Sequence, residues 1–387
     1  MRRMWRRLRA SRLEILLTLA SLAIALLAAE WLCRKFIFDP TAAYIRTPGW
    51  SMAVRLNDLV PRVHEDHVIY TNNLGIRGAP PSLLSSPHIA VFGGSTVEDL
   101  ALPERQTWVD QLAHDLQPCA PNVWAGNFGK AGINARHHLI QFPEVVKYAP
   151  HIDTFVVLLG LNDFLFDLHI HHPLVTPEGW WRRQALMYDH GDEGNLALLA
   201  LGRRLYRNWL GPNEPALAQD FGYYQKGLRD DYAKVTDRQW VPEVPDLSSH
   251  LDTYRQTIVQ LKKFADAYGS RIVFVTQPFI WSDTMSEAAR QQIYAGFIGP
   301  DPQSPETRWY TTEALRAGLS AYNTTLLDEC RSDGLSCVDA AHLFEGHEDY
   351  FYDDFHFSPE GAAAIGALVA GDIKKHLPRC SLPSSPQ

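Results

Sequence analysis

The sequence predicts an α/β fold: a doubly wound, flavodoxin-like parallel sheet of five strands, with an inserted cap and an N-terminal transmembrane helix. Three observations predict it. Short, continuous apolar runs alternate with stretches of helical period, the pattern of a parallel sheet covered on both faces. The region from about 164 to 249 breaks that rhythm and is too long for a plain connection. Residues 13–33 are nearly uncharged, and a helix of about twenty apolar residues crosses a bilayer.

The first twelve residues carry six Arg and no acid. They form a basic segment, 1–12, expected to stay in the cytoplasm. Residues 13–33 follow as a transmembrane signal-anchor, with Glu14 and Glu30 near its ends, Trp5 and Trp31 suited to the two interfaces, and Arg34-Lys35 able to snorkel. A cleaved signal peptide is the competing reading. Cleavage before Glu30 would place Leu27 where a small residue belongs, and cleavage after Ala25 leaves a short apolar core. In either case the body is exported, to the periplasm or the exterior.

Residues 36–87 are turn-rich and without sustained period, a lead-in that wraps the core. The core domain is expected over 88–378. Its strands are read at 88–92, around 123–129, at 154–159, 271–275 and 336–338. Helical periodicity covers 106–116 and 251–268, and 361–377 closes the domain. The insertion, about 164–249, is rich in Trp, Tyr, Asp and Arg and is expected to form a cap or lid. Residues 379–387 read as a disordered tail.

Composition narrows the function. Hydrophobic residues make up 46% and charged residues 21% of the chain, which excludes wholesale disorder. Of 36 Lys and Arg, six lie in the first twelve residues, leaving 30 against 44 acids. Such a body has no bulk attraction to nucleic acid, and no basic patch alters that. Export makes disulfides relevant: Cys330 with Cys337 can close a short loop and Cys119 with Cys380 can form a second pair. Spacing leaves the connectivity open, and free buried thiols are the alternative. No CxxC spacing points to zinc.

In open parallel sheets the ligand site lies at the carboxyl ends of the strands. The first strand is followed by Gly93-Gly94-Ser95-Thr96, the second by the stretch from Asn127 to Gly132, and the third by Gly160-Leu161-Asn162-Asp163. Beyond the last strand stands Asp353-Asp354-Phe355-His356, then Ser358-Pro359, an N-cap and first helical position. A serine hydroxyl needs an adjacent base, which histidine supplies near neutrality, and the histidine needs a carboxylate to fix its tautomer. The Ser95 and Gly132 N–H groups and the Asn162 amide can serve a developing oxyanion. Asp353 can turn back to the His356 ring, whereas Asp354 is expected to face solvent or a backbone donor. Asp163 is expected to order the oxyanion loop.

Four blocks in this order, GGST, KAGIN, GLND and DxxH, resemble the SGNH (GDSL-like) hydrolase superfamily. The resemblance spans about 71–377 outside the insertion, and Asn73 to Gly78 is similar to a lead-in of exported bacterial members. It implies the SGNH hydrolase fold, Ser95 as nucleophile, Asp353 and His356 completing a triad, and Ser95, Gly132 and Asn162 as oxyanion hole. One departure is Gly94, where the GDSL form has Asp. The α/β-hydrolase elbow fits less well, because position 97 is Val and its acid would not lie three residues before the histidine. His169, His171 and His172 lack a carboxylate or Cys set to complete a metal site, and Trp180-Trp181 reads as packing of the cap.

The function implied is a serine esterase that removes an acyl group, acetyl among them, from an envelope glycan or lipid. The partners implied are that acylated substrate and the membrane, and no metal or organic cofactor is implied. The same residues would serve an O-acyltransferase with a sugar hydroxyl in place of water. A non-catalytic envelope-binding protein is the rival from a different class.

Overall fold

The computed structural model describes residues 2–36, 46, 49–82, 84–169, 196–199, 201–202, 205, 217–299, 304–377 and 380. These divide between two compact units, one of residues 1–42 with 186–214 and one of 43–185 with 215–387.

In the first unit, α1 (Arg2–Phe36) is one continuous helix. Its segment Glu14–Phe36 has a mean hydropathy of 2.1 and none of its 18-residue apolar window is buried, so by length and composition it can cross a membrane. The helical residues 197–199 belong to the same unit.

The second unit opens with β1 (Ser51–Val54) and β2 (His67–Tyr70), an antiparallel pair. The nucleotide-fold rhythm then begins: β3 (His88–Gly93), the short α2 (Ser95–Glu98), α3 (Trp108–Leu116), β4 (Trp124–Gly129), α4 (Ala135–Tyr148), β5 (Thr154–Leu159) and α5 (Leu161–His169). After the insertion's undescribed middle come β6 (Leu217–Gln219), α6 (Phe221–Lys234) and β7 (Gln239–Val241). Then follow α7 (Ser248–Tyr268), β8 (Arg271–Thr276), α8 (Glu287–Arg290), β9 (Phe297–Ile298) and β10 (Arg308–Tyr310). The chain continues through α9 (Thr312–Asp333), β11 (Ser336–Val338), α10 (Ala340–Leu343) and α11 (Pro359–Lys374).

The central sheet runs β11-β8-β5-β3-β4, all parallel. Counted by succession along the chain, that order is the flavodoxin-like 2-1-3-4-5, with its switch point between β3 and β5. Every residue of β5 is buried, as expected of a central strand covered on both faces. Phe142 of α4 lies 4.5 Å from Phe92 and 4.6 Å from Phe155, ring centre to ring centre, so aromatic side chains join this helix to two central strands. Helix α3 packs on α11, and α7 packs on both α4 and α9.

Lead-in, insertion and the segment between β8 and α9 build two accessory sheets that the apolar rhythm did not announce. β6 adds beside β1, giving β2-β1-β6, and β10 joins β7 to β9. Both cysteine pairs form, Cys119–Cys380 and Cys330–Cys337. Cys380, placed by sequence in a disordered tail, is therefore tied to the turn after α3; residues 381–387 lie outside the described residues.

Candidate active site

The switch point between β3 and β5 dictates where the functional side chains meet. β3 ends at Gly93, and Ser95 is the first residue of α2, so its backbone N–H has no acceptor within the helix. Asn162 stands in the first turn of α5, just past β5. A Cβ built on Gly94 would lie 2.1 Å from Asn162 Nδ2. The space beside the serine is filled by that amide, which gives a physical reason for glycine at position 94.

Asn162 is fixed in turn. Its Nδ2 donates to the carbonyl of Ile133 at 2.6 Å, which leaves its second hydrogen to point elsewhere. Ile133 belongs to the turn after β4, where Gly132 has φ +76°, a left-handed conformation that a side chain disfavours. Asp163 accepts from the N–H of Ala135 at 3.1 and 3.2 Å, binding the same turn to α5. Burial pushes the Asp163 carboxyl up to about 7, against the hydrogen bond from Ala135.

The Asp353–His356 loop reaches this point from the far end of the chain. His356 Nε2 is 2.8 Å from Ser95 Oγ, and His356 Nδ1 is 2.7 Å from Asp353 Oδ2. Asp353 Oδ1 accepts from the backbone N–H groups of Phe355 at 3.0 Å and His356 at 2.8 Å. Tyr294 adds its hydroxyl to Oδ2 at 3.3 Å. Asp353 is fully buried, which alone would raise its pKa; attraction to His356 and the hydrogen bonds it accepts outweigh this and hold it below the usual carboxylate range. Tyr352 stacks on the His356 ring at 5.5 Å with planes 8° apart. Such a hydroxyl–imidazole–carboxylate chain can draw the hydroxyl proton onto Nε2 while Nδ1 holds its proton against the acid.

Asp354 does not face solvent. It is fully buried, and its Oδ2 accepts from the N–H groups of Tyr294 at 2.7 Å and Ala295 at 3.2 Å. Its Oδ1 accepts from the Trp281 indole at 2.8 Å. Burial, with the Asp353 charge next, pushes it up to about 7. The backbone-donor half of the expectation holds; the solvent half fails because loops at 281 and 294 close over it.

A second group of buried polar residues braces the serine turn. Arg77 donates to the carbonyls of Glu98, Asp99 and Leu102 at 2.8–2.9 Å and to the Glu104 carboxylate at 2.8 Å. Glu98 accepts from Arg46 at 2.9 Å and from the N–H of Ala131 at 2.7 Å, tying α2 to the Gly132 turn. Thr96 donates to Gln277 at 3.1 Å. Of these, Arg77, Thr96 and Ala131 lie in segments singled out from the sequence, but without this bracing role, and Arg46, Glu98 and Gln277 do not. A lone Arg between Ile76 and Gly78 was the available signal. Among the described residues no group of three or more His, Cys, Asp or Glu is placed to hold a metal. His169 ends α5, while His171, His172, Trp180 and Trp181 lie outside the described residues.

A search of curated proteins finds no match. Among solved structures, the chain is similar to Axe2, an acetylxylan esterase from Geobacillus stearothermophilus, at 13% identity and TM-score 0.40, covering 75% of this chain and 94% of that one. It is similar to the lipase/acylhydrolase from Enterococcus faecalis at 15% identity and TM-score 0.39, covering 75% and 96%. The model of the GDSL-like lipase/acylhydrolase family matches residues 91–364, more than half the chain and all the blocks around Ser95, Gly132, Asn162 and His356, so the chain belongs to that family of ester-bond hydrolases.

Proposed function

We propose that this enzyme is a membrane-anchored serine esterase, with Ser95 as nucleophile, that removes acyl groups such as acetyl from an envelope glycan or lipid. The observation that carries the reading is the unbroken chain from Ser95 Oγ through His356 to Asp353, at 2.8 and 2.7 Å. Ser95 Oγ attacks the ester carbonyl as its proton passes to His356 Nε2. The Ser95 and Gly132 N–H groups and the free hydrogen of Asn162 Nδ2 receive the oxyanion, such donors each being worth about 3–4 kcal/mol. Collapse of the tetrahedral intermediate breaks the bond to the alcohol, which leaves with the His356 proton. Water, deprotonated by His356, then attacks the acyl-serine and releases the acid.

A polar cleft opens beyond the ends of β8 and β11; none of Ser95, Asn162, Asp353 and His356 lines it. It measures about 700 Å³ and reaches Asn323 and Asp339. Phe279 offers aromatic surface there, while Ser320, Thr324 and Glu313 offer hydroxyl and carboxylate partners. Sites of this volume hold ligands of several sugar rings' size. Two disulfides suit an oxidising, exported compartment, and the Arg-rich start suits a cytoplasmic N-terminus.

The test is covalent labelling with a fluorophosphonate probe and turnover of a short-chain ester. Both are expected in the wild-type protein and lost in Ser95→Ala. Near-native labelling of Ser95→Ala would assign the nucleophile to another serine. Release of free acetate from an acetylated glycan, undiminished by added sugar acceptor, distinguishes hydrolysis from acyl transfer.

A further inference from the structure

The first unit holds a contact that the esterase chemistry does not use. Glu30 lies near the outer end of the apolar span of α1. Its Oε1 accepts from the backbone N–H of Ala197 at 2.9 Å and from Arg34 Nε at 2.7 Å, and its Oε2 accepts from the N–H of Leu198 at 2.9 Å. A bare carboxylate in the apolar part of a bilayer is costly. Here the charge is met by a guanidinium one turn on and by two N–H groups that open the helical residues 197–199 and have no acceptor within them.

Burial along α1 agrees. From Ile15 to Leu27 its large side chains are 54–70% exposed, whereas Cys33 falls to 3% and Ala29 and Glu30 are half-buried. Residues 29, 30, 33 and 34 form one stripe of the helix, so something covers that stripe and not the rest. Ala197 is fully buried in return. On the outward side Leu196, Leu199 and Leu205 are 47–59% exposed. Trp31, Leu32 and Phe36 are also exposed, at the same end of α1, and Lys35 lies over the Trp31 ring at 5.0 Å. Leucines and a tryptophan gathered where an apolar helix leaves the hydrocarbon are placed for the lipid interface, not for water.

We infer that residues 196–199, 201, 202 and 205, docked on α1 through Glu30, rest in the outer lipid face of the bilayer that α1 crosses. The insertion is then in part a lipid-contacting element. This rests on α1 being a retained membrane crossing. It commits to lipid as the occupant because the exposed leucines belong to the same unit as the apolar helix and are joined to it at its outer end.

The experiment uses the full chain with Cys33→Ala in nanodiscs of phosphatidylethanolamine and phosphatidylglycerol. Nitroxides are attached at Leu22→Cys, Leu199→Cys and Leu205→Cys, with Leu84→Cys, 80% exposed in the catalytic unit, as the aqueous reference. Collisions with oxygen report lipid and collisions with a nickel chelate report water. Positions 22, 199 and 205 are expected to favour oxygen several-fold, and 84 to favour nickel. If 22 favours oxygen while 199 and 205 match 84, or are shielded from both agents by protein, the inference is overturned and the anchor stands. If 22 itself reports water, the anchor fails and the inference with it. Glu30→Ala should raise nickel access at 199 and 205 several-fold and leave 22 unchanged, whereas Glu30→Gln, which keeps an acceptor, should change it less. Unaltered access in Glu30→Ala would overturn the docking through Glu30.

Discussion

Asp353 and Asp354 are consecutive in the chain and equally buried, yet their carboxylates serve opposite sides of one loop. Asp353 meets His356 at 2.7 Å, while Asp354 takes the Trp281 indole at 2.8 Å and the Tyr294 N–H at 2.7 Å. The two are linked again through Tyr294, whose backbone is held by Asp354 and whose hydroxyl reaches Asp353 at 3.3 Å. One acid holds the His356 ring, and its neighbour holds the wall behind it.

Substituting each acid should therefore produce different losses. Asp353→Asn is expected to lower kcat by about 10⁴-fold, because an amide no longer fixes the imidazole tautomer. Asp354→Asn retains one acceptor oxygen but turns an NH2 toward a donor it formerly accepted from. That costs about 1–3 kcal/mol of stability and a smaller, indirect loss in kcat. Ester turnover beside urea unfolding separates them; an Asp354→Asn protein of unchanged stability would contradict the bracing role.

Gly94 and Asn162 should behave as a coupled pair. Asn162→Ala removes the proposed oxyanion donor and is expected to cost about 10²–10³-fold in kcat. Gly94→Ala places a methyl 2.1 Å from the Asn162 nitrogen and should displace the same amide. In the Asn162→Ala background, Gly94→Ala should cost little more, a non-additivity that a double-mutant cycle on kcat reads directly. Additive losses would mean the two residues act separately.

Much of this site was legible because it lies on periodic structure. Continuous apolar runs located the central strands, and strand ends are where such sheets bind ligands, so Ser95, Gly132, Asn162 and His356 stood out with their neighbours. What lay hidden depends on contacts between segments far apart in the chain. The accessory strands Leu217–Gln219 and Arg308–Tyr310 are too short to show a period. Arg77 shows in sequence only as a lone charge between Ile76 and Gly78, because its carbonyl partners are backbone groups that any residue provides. Asp354 could be read only once Trp281 and Tyr294 were known to fold over it.

Arg77, only 5% exposed, gives a sharp test. Its planar fork spreads hydrogen bonds over three carbonyls and the Glu104 carboxylate, a geometry that a lysine cannot reproduce. Arg77→Lys should keep the charge yet leave buried carbonyls unmet, lowering unfolding free energy by about 2–3 kcal/mol. Because those carbonyls belong to the turn that follows Ser95, fluorophosphonate labelling should slow in parallel. Equal stability and labelling for Arg77→Lys would show that charge alone suffices.

The buried acids also predict how stability depends on pH, and Asp163 isolates the effect. Its folded pKa is raised to about 7 by burial, above an unfolded value of about 3.9. Between these values the folded chain holds a proton that the unfolded chain has released, so rising pH favours unfolding. The contribution is complete below pH ~4, shrinks from there to pH ~7 and is gone above it, a swing of at most about 4 kcal/mol. Asp354, also raised to about 7, acts in the same direction. His138, which burial pushes down to about 4, acts in the opposite one, because the unfolded chain takes up the proton it refuses. Asp353 lies outside this window: its pKa is lowered, so its contribution is lost only as pH falls through that lower value. The wild-type profile mixes these contributions, so the informative quantity is the difference from Asp163→Asn. The asparagine keeps an acceptor for the Ala135 N–H but cannot ionise. Urea unfolding of the two proteins at pH 5, 6, 7 and 8 should show the wild-type protein losing stability relative to the variant as pH rises to 7, then a constant difference. A difference independent of pH across that range would mean that Asp163 ionises as freely folded as unfolded.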